Sequence, residues 1–181
     1  MIEVEVKARA PEGMAERIAD LGGELMAVES HLDLYFNSPL RDLKRSDEAL
    51  RIRIKEQGAR LTYKGPKLDS TTKSRLELTV KIDDARLMEE ILGRLGFVLS
   101  ATVRKRRSKY SYQGLTLALD EVEGLGCFVE LEAAGEEEIE EQRQKVLRTL
   151  EQLGLGPSIR SSYLELLEEK KATASGNREP V

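Results

Sequence analysis

Apolar and polar residues alternate with period two along much of the chain, the pattern of strands with one apolar and one polar face. Ile2, Val4, Val6 and Ala8 alternate with Glu3, Glu5, Lys7 and Arg9. Leu50, Ile52 and Ile54 alternate with Arg51, Arg53 and Lys55, and Leu61 and Tyr63 with Thr62 and Lys64. Leu76, Leu78 and Val80 alternate with Arg75, Glu77, Thr79 and Lys81. The basic run from Val103 to Tyr112 also reads as a strand. Leu115, Leu117 and Leu119 then alternate with Thr116, Ala118 and Asp120, and Val129 and Leu131 with Glu130 and Glu132. Tyr112-Gln113-Gly114-Leu115 predicts a hairpin turn between two of these strands.

Helical spacing falls between the strands. The first helix is predicted to open at Pro11 and to carry Met14, Ile18, Leu21 and Leu25, with Gly22-Gly23 ending it through a left-handed cap. A second is capped by Asp83 or Asp84, carries Leu87, Ile91 and Leu95, and stops at Gly96. A third spans Glu136 to Leu153 with Ile139, Val146, Leu147 and Leu150, and stops at Gly154. A short last helix starts near Ser161 and contains Tyr163, Leu164 and Leu167. Three segments, beginning at Glu3, Arg75 and Glu130, share one plan: an alternating strand, a helix, then a glycine stop. Two related halves plus a partial third are expected, at a spacing too irregular for a solenoid.

The chain has 181 residues, enough for one domain with a sizeable core. That domain is expected to span residues 1–171, with a disordered polar tail over 172–181. Charged residues make up 34%, above the usual quarter, so the excess needs a very polar surface or a polar interior. The net charge of −4 and the absence of Trp argue against nucleic-acid binding. No apolar stretch reaches membrane-spanning length. The single cysteine, Cys127, gives no disulfide framework, which fits a cytoplasmic protein.

A wet antiparallel sheet face would show the same alternation, but such faces usually mix signs. Here the signs are sorted. Arg51, Arg53 and Lys55 share one face, as do Lys105, Arg107 and Lys109, whereas Glu3 with Glu5 and Glu130 with Glu132 share others. Like charges two residues apart repel, and a ligand of opposite sign relieves the repulsion. Clustered Arg and Lys match phosphate oxygens, while Glu3, Glu5, Asp120, Glu130 and Glu132 suit a hard divalent ion bridging them to phosphate. The combination points to a polyphosphate bound with Mg²⁺ or Mn²⁺. Closing the strands into a barrel would turn these faces inward, where screening is weaker.

Glu3-Val4-Glu5-Val6-Lys7 resembles the ExExK signature of the CYTH family, also called triphosphate tunnel metalloenzymes. Further blocks follow in the family's order. They are Tyr35-Phe36-Asn37-Ser38-Pro39, Leu50-Arg51-Ile52-Arg53, Thr62-Tyr63-Lys64-Gly65-Pro66 and Arg75-Leu76-Glu77. After them come Val103-Arg104-Lys105-Arg106-Arg107 with Tyr110, Asp120-Glu121-Val122-Glu123-Gly124-Leu125-Gly126, and Phe128-Val129-Glu130-Leu131-Glu132. The resemblance covers Met1 to Leu167 and is strongest to the class IV adenylate cyclase group, although Tyr35 stands where some members carry His.

The resemblance implies an α+β fold: a closed antiparallel barrel forming a tunnel, with flanking helices. It implies that Lys7, Arg51, Arg53, Lys64, Arg75, Lys105 and Arg107 grip the triphosphate. Glu3, Glu5, Asp120, Glu130 and Glu132 would hold the metal, Asp120 with Lys105 and Arg107 would form the catalytic group, and Glu77 would lie on a tunnel wall. The implied substrate is ATP, cyclised to cyclic AMP and pyrophosphate. Hydrolysis of thiamine triphosphate or tripolyphosphate is the alternative, and non-catalytic polyphosphate or nucleotide binding a second one. No nucleic-acid or membrane partner is expected; the candidate assembly is a homodimer.

Other residues invite functional readings that the pattern does not favour. His31, the lone histidine, is expected at a loop or strand edge, outside the sorted faces, and Cys127 is expected as a small buried hydrophobe. Tyr35 could meet a ring but suits core packing equally, Glu136 to Glu141 suits a helix start, and Gly65-Pro66 reads as a turn.

Overall fold

The computed structural model describes residues 2–68, 75–133 and 138–176; the side chains of Ile2, Glu3 and residues 174–176 lie outside that description. The elements run β1 (Ile2–Arg9), α1 (Met14–Asp20), β2 (Glu24–Asn37), β3 (Ala49–Lys55), β4 (Gly58–Lys67) and β5 (Arg75–Ile82). They continue with α2 (Ala85–Arg94), β6 (Val98–Tyr112), β7 (Leu115–Val122), β8 (Gly126–Ala133), α3 (Ile139–Gln152) and α4 (Tyr163–Gly176). The fold is α+β. Eight antiparallel strands form one curled sheet in the order β1-β5-β4-β3-β2-β6-β7-β8. β1 pairs with β8 over six residue pairs, from Val4↔Ala133 to Arg9↔Phe128, and, among the described residues, with β5 at Ile2↔Leu76 and Glu3↔Arg75.

The two expected halves are β1-α1-β2-β3-β4 and β5-α2-β6-β7-β8. Their first three elements match at a constant spacing of 74 residues. Met14, Ile18, Leu21 and Gly22 correspond to Met88, Leu92, Leu95 and Gly96. The pairs Ile2↔Leu76 and His31↔Lys105, each 74 apart, lie on the two seams where the halves meet. A local two-fold axis therefore passes through both seams. The third segment keeps only its strand-helix start, β8 and α3.

Each of these helices ends in the same hydrogen-bonded cap. Gly22 N–H donates to Ala19 O and Gly23 N–H to Ile18 O; Gly96 N–H donates to Gly93 O and Phe97 N–H to Leu92 O. Gly154 and Leu155 repeat the pattern onto Glu151 and Leu150. The cap needs a positive φ, which Gly22 (87°), Gly96 (89°) and Gly154 (61°) supply. The predicted hairpin turn likewise has Gln113 and Gly114 at φ 49° and 73°.

The outer faces of the strands form the core. Val4, Val6, Leu117, Val129 and Leu131 pack with Met14 and Ile18 of α1 and Val146 and Leu150 of α3. Leu34, Phe36 and Ile52 pack with Leu92 and Met88 of α2. The inner faces carry the charges.

Several expectations change. The segment after Gly23 is a long strand, β2, and Leu25 belongs to it rather than to the first helix. Its inner face carries Glu29, His31, Asp33 and Tyr35, a charged period-two pattern overlooked because Ser30 and the acids dilute the apolar set. Gly65-Pro66 is no turn: β4 runs through it, with a register irregularity between Lys64 and Lys67. Leu87, Ile91 and Leu95 face solvent, and α2 buries the adjacent stripe instead. α3 starts at Ile139, with residues 134–137 outside the description, and α4 continues past Ala172 to Gly176.

The caps yield a first prediction. At Gly22 an added Cβ meets nothing within 4 Å, so Gly22→Ala should cost only the left-handed strain, about 1 kcal/mol. At Gly96 the Cβ would lie 3.2 Å from Pro39, so Gly96→Ala should cost more. Urea unfolding of both variants measures the difference; equal losses would show that Pro39 yields freely.

Candidate active site

Ten of the twelve sequence-selected residues outside Glu3 line one cavity of about 620 Å³: Glu5, Arg51, Arg53, Lys64, Arg75, Glu77, Lys105, Arg107, Glu130 and Glu132. Strand alternation brings them together, because each is an odd-numbered or in-phase residue on the concave face. Lys7 and Asp120 are fully buried behind that wall. Glu3 is paired through its backbone with Arg75, but its side chain lies outside the described residues. On β3, β6 and β8 the inward charges are of one sign, whereas β1 and β5 carry both. Glu130 and Glu132 on β8 lie four places in the strand order from Arg51, Arg53 and Lys55 on β3.

Two bidentate ion pairs anchor the interior. Arg107 Nε and Nη2 donate to the two Asp120 oxygens, each at 2.6 Å, and Arg107 also bonds Glu130. Lys105 Nζ donates to Asp120 at 2.7 Å, and Tyr163 OH donates to it at 2.8 Å. On the other half, Arg53 Nε and Nη2 donate to Asp33 at 2.7 Å each, with Arg51 3.7 Å away. Asp33 and Arg107 are 74 residues apart, so the local two-fold relates the two pairs with acid and base exchanged between strands.

Burial would raise the Asp33 carboxyl, but Arg51 and Arg53 hold it well below the usual range. Burial likewise opposes ionisation of Asp120, and Arg107 and Lys105 outweigh it. Burial and then the neighbouring Arg107 push Lys105 down to about 7, against the pull of Glu130 and Asp120. Glu132 moves upward, through burial and then through Glu5, its partner across β1 and β8. Lys64, bonded to Glu77, is lowered by burial and then by Arg51.

The start of α4 closes over Lys7 and Asp120. Lys7 Nζ donates to Ser161 O and sits 4.2 Å from the Tyr163 ring centre. Tyr163 packs edge-on to Phe128 beside Tyr35, Val103 and Val122. Tyr35 is therefore a core residue with one side on the cavity. Any ligand that reaches Lys7 must displace Ser161 and Tyr163.

Among the described residues, no three metal-ligating side chains already converge. Glu5 and Glu132 are nonetheless cross-strand neighbours with mutually unfavourable charge, the donor set that a hard cation relieves. Glu130 is shared with Arg107.

His31 and Cys127 are corrections. His31 lies mid-strand, buried in the cavity wall between Lys105 and the Lys55 side of the sheet, because β2 is a strand there. Its Nε2 lies 2.7 Å from Glu29, which Lys55 also contacts at 2.7 Å. Glu29 is held at about 2, so it accepts and Nε2 carries the proton. Nδ1 then has a buried lone pair with no hydrogen-bond donor among the described residues. Cys127 is exposed at the start of β8, because the outward position there is not covered by a helix. Sequence reasoning also missed Asp33, Glu29 and Tyr163, whose signals were single charges in a strand it did not recognise and an aromatic read as helix core.

A CYTH domain signature matches residues 1–163. The chain belongs to the CYTH family. A Methanocaldococcus jannaschii relative, provisionally named an adenylate cyclase, is 38% identical over 92% of this chain and 98% of its own length. Adenylate cyclase CyaB of Aeromonas hydrophila is 29% identical over 98% and 94%. Among solved structures, a Pyrococcus horikoshii protein is 45% identical, with a TM-score of 0.87 over 93% of this chain and 99% of its own. A Hippeastrum protein, provisionally named an adenylyl cyclase and described as having a dominant triphosphatase activity, shares the fold at a TM-score of 0.65 and 21% identity, over 99% and 97%. The CYTH chain thus stands among named enzymes. No helix among the described residues is long and apolar enough to cross a membrane.

The buried imidazole generates a pH prediction. Burial first, and then Arg53, Lys105 and Arg107, push His31 down to about 3 from 6.5. Between those values the unfolded chain takes up a proton that the folded chain refuses. His31 thus contributes fully above pH 6.5, and stability falls as pH drops toward 3, by at most about 1.4 kcal/mol per pH unit. In His31→Gln this part of the slope should vanish. Urea midpoints at pH 4, 5, 6 and 7 measure it; parallel curves for the two proteins would contradict the assignment.

Proposed function

We propose that the cavity binds a triphosphate together with Mg²⁺ or Mn²⁺ and that the chain is an enzyme of the class IV adenylate cyclase type, converting ATP to cyclic AMP and pyrophosphate. The observation that carries this reading is the sorting of charge within one cavity: cations on β3, β4 and β6 facing carboxylates on β1 and β8. Arg51, Arg53, Lys64, Arg75, Lys105 and Arg107 offer forked and point donors to phosphate oxygens. Lys7 joins them once the start of α4 withdraws. Glu5, Glu130 and Glu132, with Glu3 and Asp120, are the donors for the metal, and Glu77 steadies Lys64 on the wall. A bound divalent ion would neutralise charge between these carboxylates and the phosphates and polarise the phosphoryl oxygens.

In cyclisation the ribose 3′-oxygen forms a bond to the α-phosphorus and the bond to the pyrophosphate oxygen breaks. Lys105 and Arg107 stand where they stabilise charge developing on the phosphoryl group. Asp120 fixes both cations through its two oxygens and, once Tyr163 withdraws with the start of α4, is the candidate acceptor for the 3′-hydroxyl proton. In this reading the ring closes around the ligand, with Arg75 of β5 and Glu5 of β1 drawn to it from neighbouring strands. The exposed thiol of Cys127 suits a reducing cytoplasm.

Terminal-phosphate hydrolysis of thiamine triphosphate or tripolyphosphate is the second reading. It is favoured by a lining dominated by charge and by the activity described for the Hippeastrum protein. Incubation with ATP, thiamine triphosphate and tripolyphosphate, each with Mg²⁺ or Mn²⁺, should yield cyclic AMP and pyrophosphate from ATP. Phosphate release alone would select the second reading. Binding without turnover would leave a polyphosphate- or nucleotide-binding protein.

Glu130→Gln keeps the hydrogen bond to Arg107 and removes the charge. Turnover should fall at least ~100-fold, about 2.7 kcal/mol, while metal-free affinity for a non-hydrolysable triphosphate holds or rises. Turnover against Mg²⁺ concentration, beside titration calorimetry, decides this. Unchanged turnover with an unchanged metal requirement removes Glu130 from the site. Excess chelator should abolish turnover by the wild type.

A further inference from the structure

Among the described residues, three buried side-chain polar atoms have no hydrogen-bond partner: His31 Nδ1, Arg51 Nε and Ser158 Oγ. The first two belong to residues of the cavity wall. They flank the Asp33–Arg53 ion pair, His31 from β2 and Arg51 from β3. Arg51 Nε is a donor and suits an anionic ligand directly. His31 Nδ1 is an acceptor, because Nε2 carries the ring proton toward Glu29. In a wall built from cations, a lone pair has the wrong polarity for phosphate.

The surrounding charges explain why the ring is neutral. On β6, Lys105 stands opposite His31 and Arg107 opposite Glu29. On β3, Arg53 stands opposite Asp33, and Lys55 shares Glu29 with the imidazole. The acids are already engaged: Glu29 by Lys55, Asp33 by Arg53 and Arg51, Asp120 by Arg107 and Lys105, and Glu130 by Arg107. Burial disfavours the imidazolium first, and then Arg53, Lys105 and Arg107 oppose it, so the ring is held at about 3.

Those three cations are the groups that an entering polyphosphate would engage. Its oxyanions would cancel their field at the imidazole and add a negative field, inside a cavity where screening is weak. Both changes favour the imidazolium. Nδ1 is the ring atom open to the proton, and as an N–H it becomes a donor like Arg51 Nε.

We propose, resting on the reading of the cavity as a triphosphate site, that each polyphosphate binds together with one proton from solvent, taken up at His31 Nδ1, so that the imidazolium becomes a further cation of the phosphate-binding wall. Glu29 keeps the ring in place and offsets the new charge from the Nε2 side. Affinity then rises as pH falls below the titration midpoint of the bound imidazole, and above that midpoint the ring contributes no charge. Acid thus weakens the empty fold through His31 but strengthens the occupied one.

His31 is the single histidine of the chain, so a carbon-13 label at imidazole Cε1 reports this group alone. The probe is imidotriphosphate, a tripolyphosphate analogue that resists hydrolysis, added with Mg²⁺ and again in excess chelator; its phosphorus signals report occupancy. In the empty protein the imidazole should stay neutral from pH 7 to pH 5. In the saturated protein it should titrate within that window, a rise of about 2 pH units or more. By calorimetry, wild-type affinity should gain about 10-fold more than that of His31→Gln between pH 7 and pH 5. An occupied cavity that leaves the imidazole titration unchanged, or equal gains for the two proteins, overturns the proposal and leaves the triphosphate reading standing. No occupancy under either condition overturns both.

Discussion

A carboxylate with no exposed surface is tolerable only beside cations, and Asp120 sets this condition for the whole interior. Arg107 and Lys105 satisfy it from the neighbouring strand, and Tyr163 adds a third donor from α4. The geometry demands that β6 and β7 stay in one register, since a shift of one residue would send Arg107 to the outer face and leave Asp120 unpaired. It also fixes where α4 begins. On the other half, Asp33 imposes the same condition on β2 and β3. The outer apolar faces hold the helices, but these two acids lock the pairing of the strands that carry the cavity.

The exchange of acid and base between the two halves explains how one repeat built an asymmetric cavity. A strict repeat would have placed like groups opposite one another across each seam. Instead, His31 of one half meets Lys105 of the other, and Glu29 meets Arg107. Neutral and acidic groups on β2 thereby dilute the positive field of β6, while β8 keeps its carboxylates beside β1. The cavity gains a polarity across its width that neither half has by itself.

Much of this was legible because period-two alternation survives wherever one face is apolar and the other charged. β1, β3, β5 and β8 meet that condition, so their inward residues can be read from the sequence. The glycine stops were equally plain, because a helix end that needs a positive φ has few other solutions. β2 was not legible: Glu29, His31, Asp33 and Tyr35 alternate with Ser30, Leu32 and Leu34, and a mixed face carries no single-sign signal. The expectation of His31 at a loop or strand edge followed from that one omission. The stripe on α2 misled for a different reason. Spacing identifies an apolar face but not what it meets, and α2 has two such faces, only one of which has a partner within the chain. Lys7 and Asp120 lie behind the cavity wall, and nothing local in the sequence signals that Ser161 covers the one and Tyr163 the other.

The start of α4 makes the depth of the cavity depend on a segment remote in sequence. Lys7 already has partners in the Ser161 carbonyl and the Tyr163 ring, and the Tyr163 hydroxyl donates to Asp120. A cation that must leave such partners gains less from an incoming anion than a solvated one would. The attraction at the inner end of the cavity is therefore a difference between two sets of contacts, and a helix outside the sheet sets it as much as the strands do.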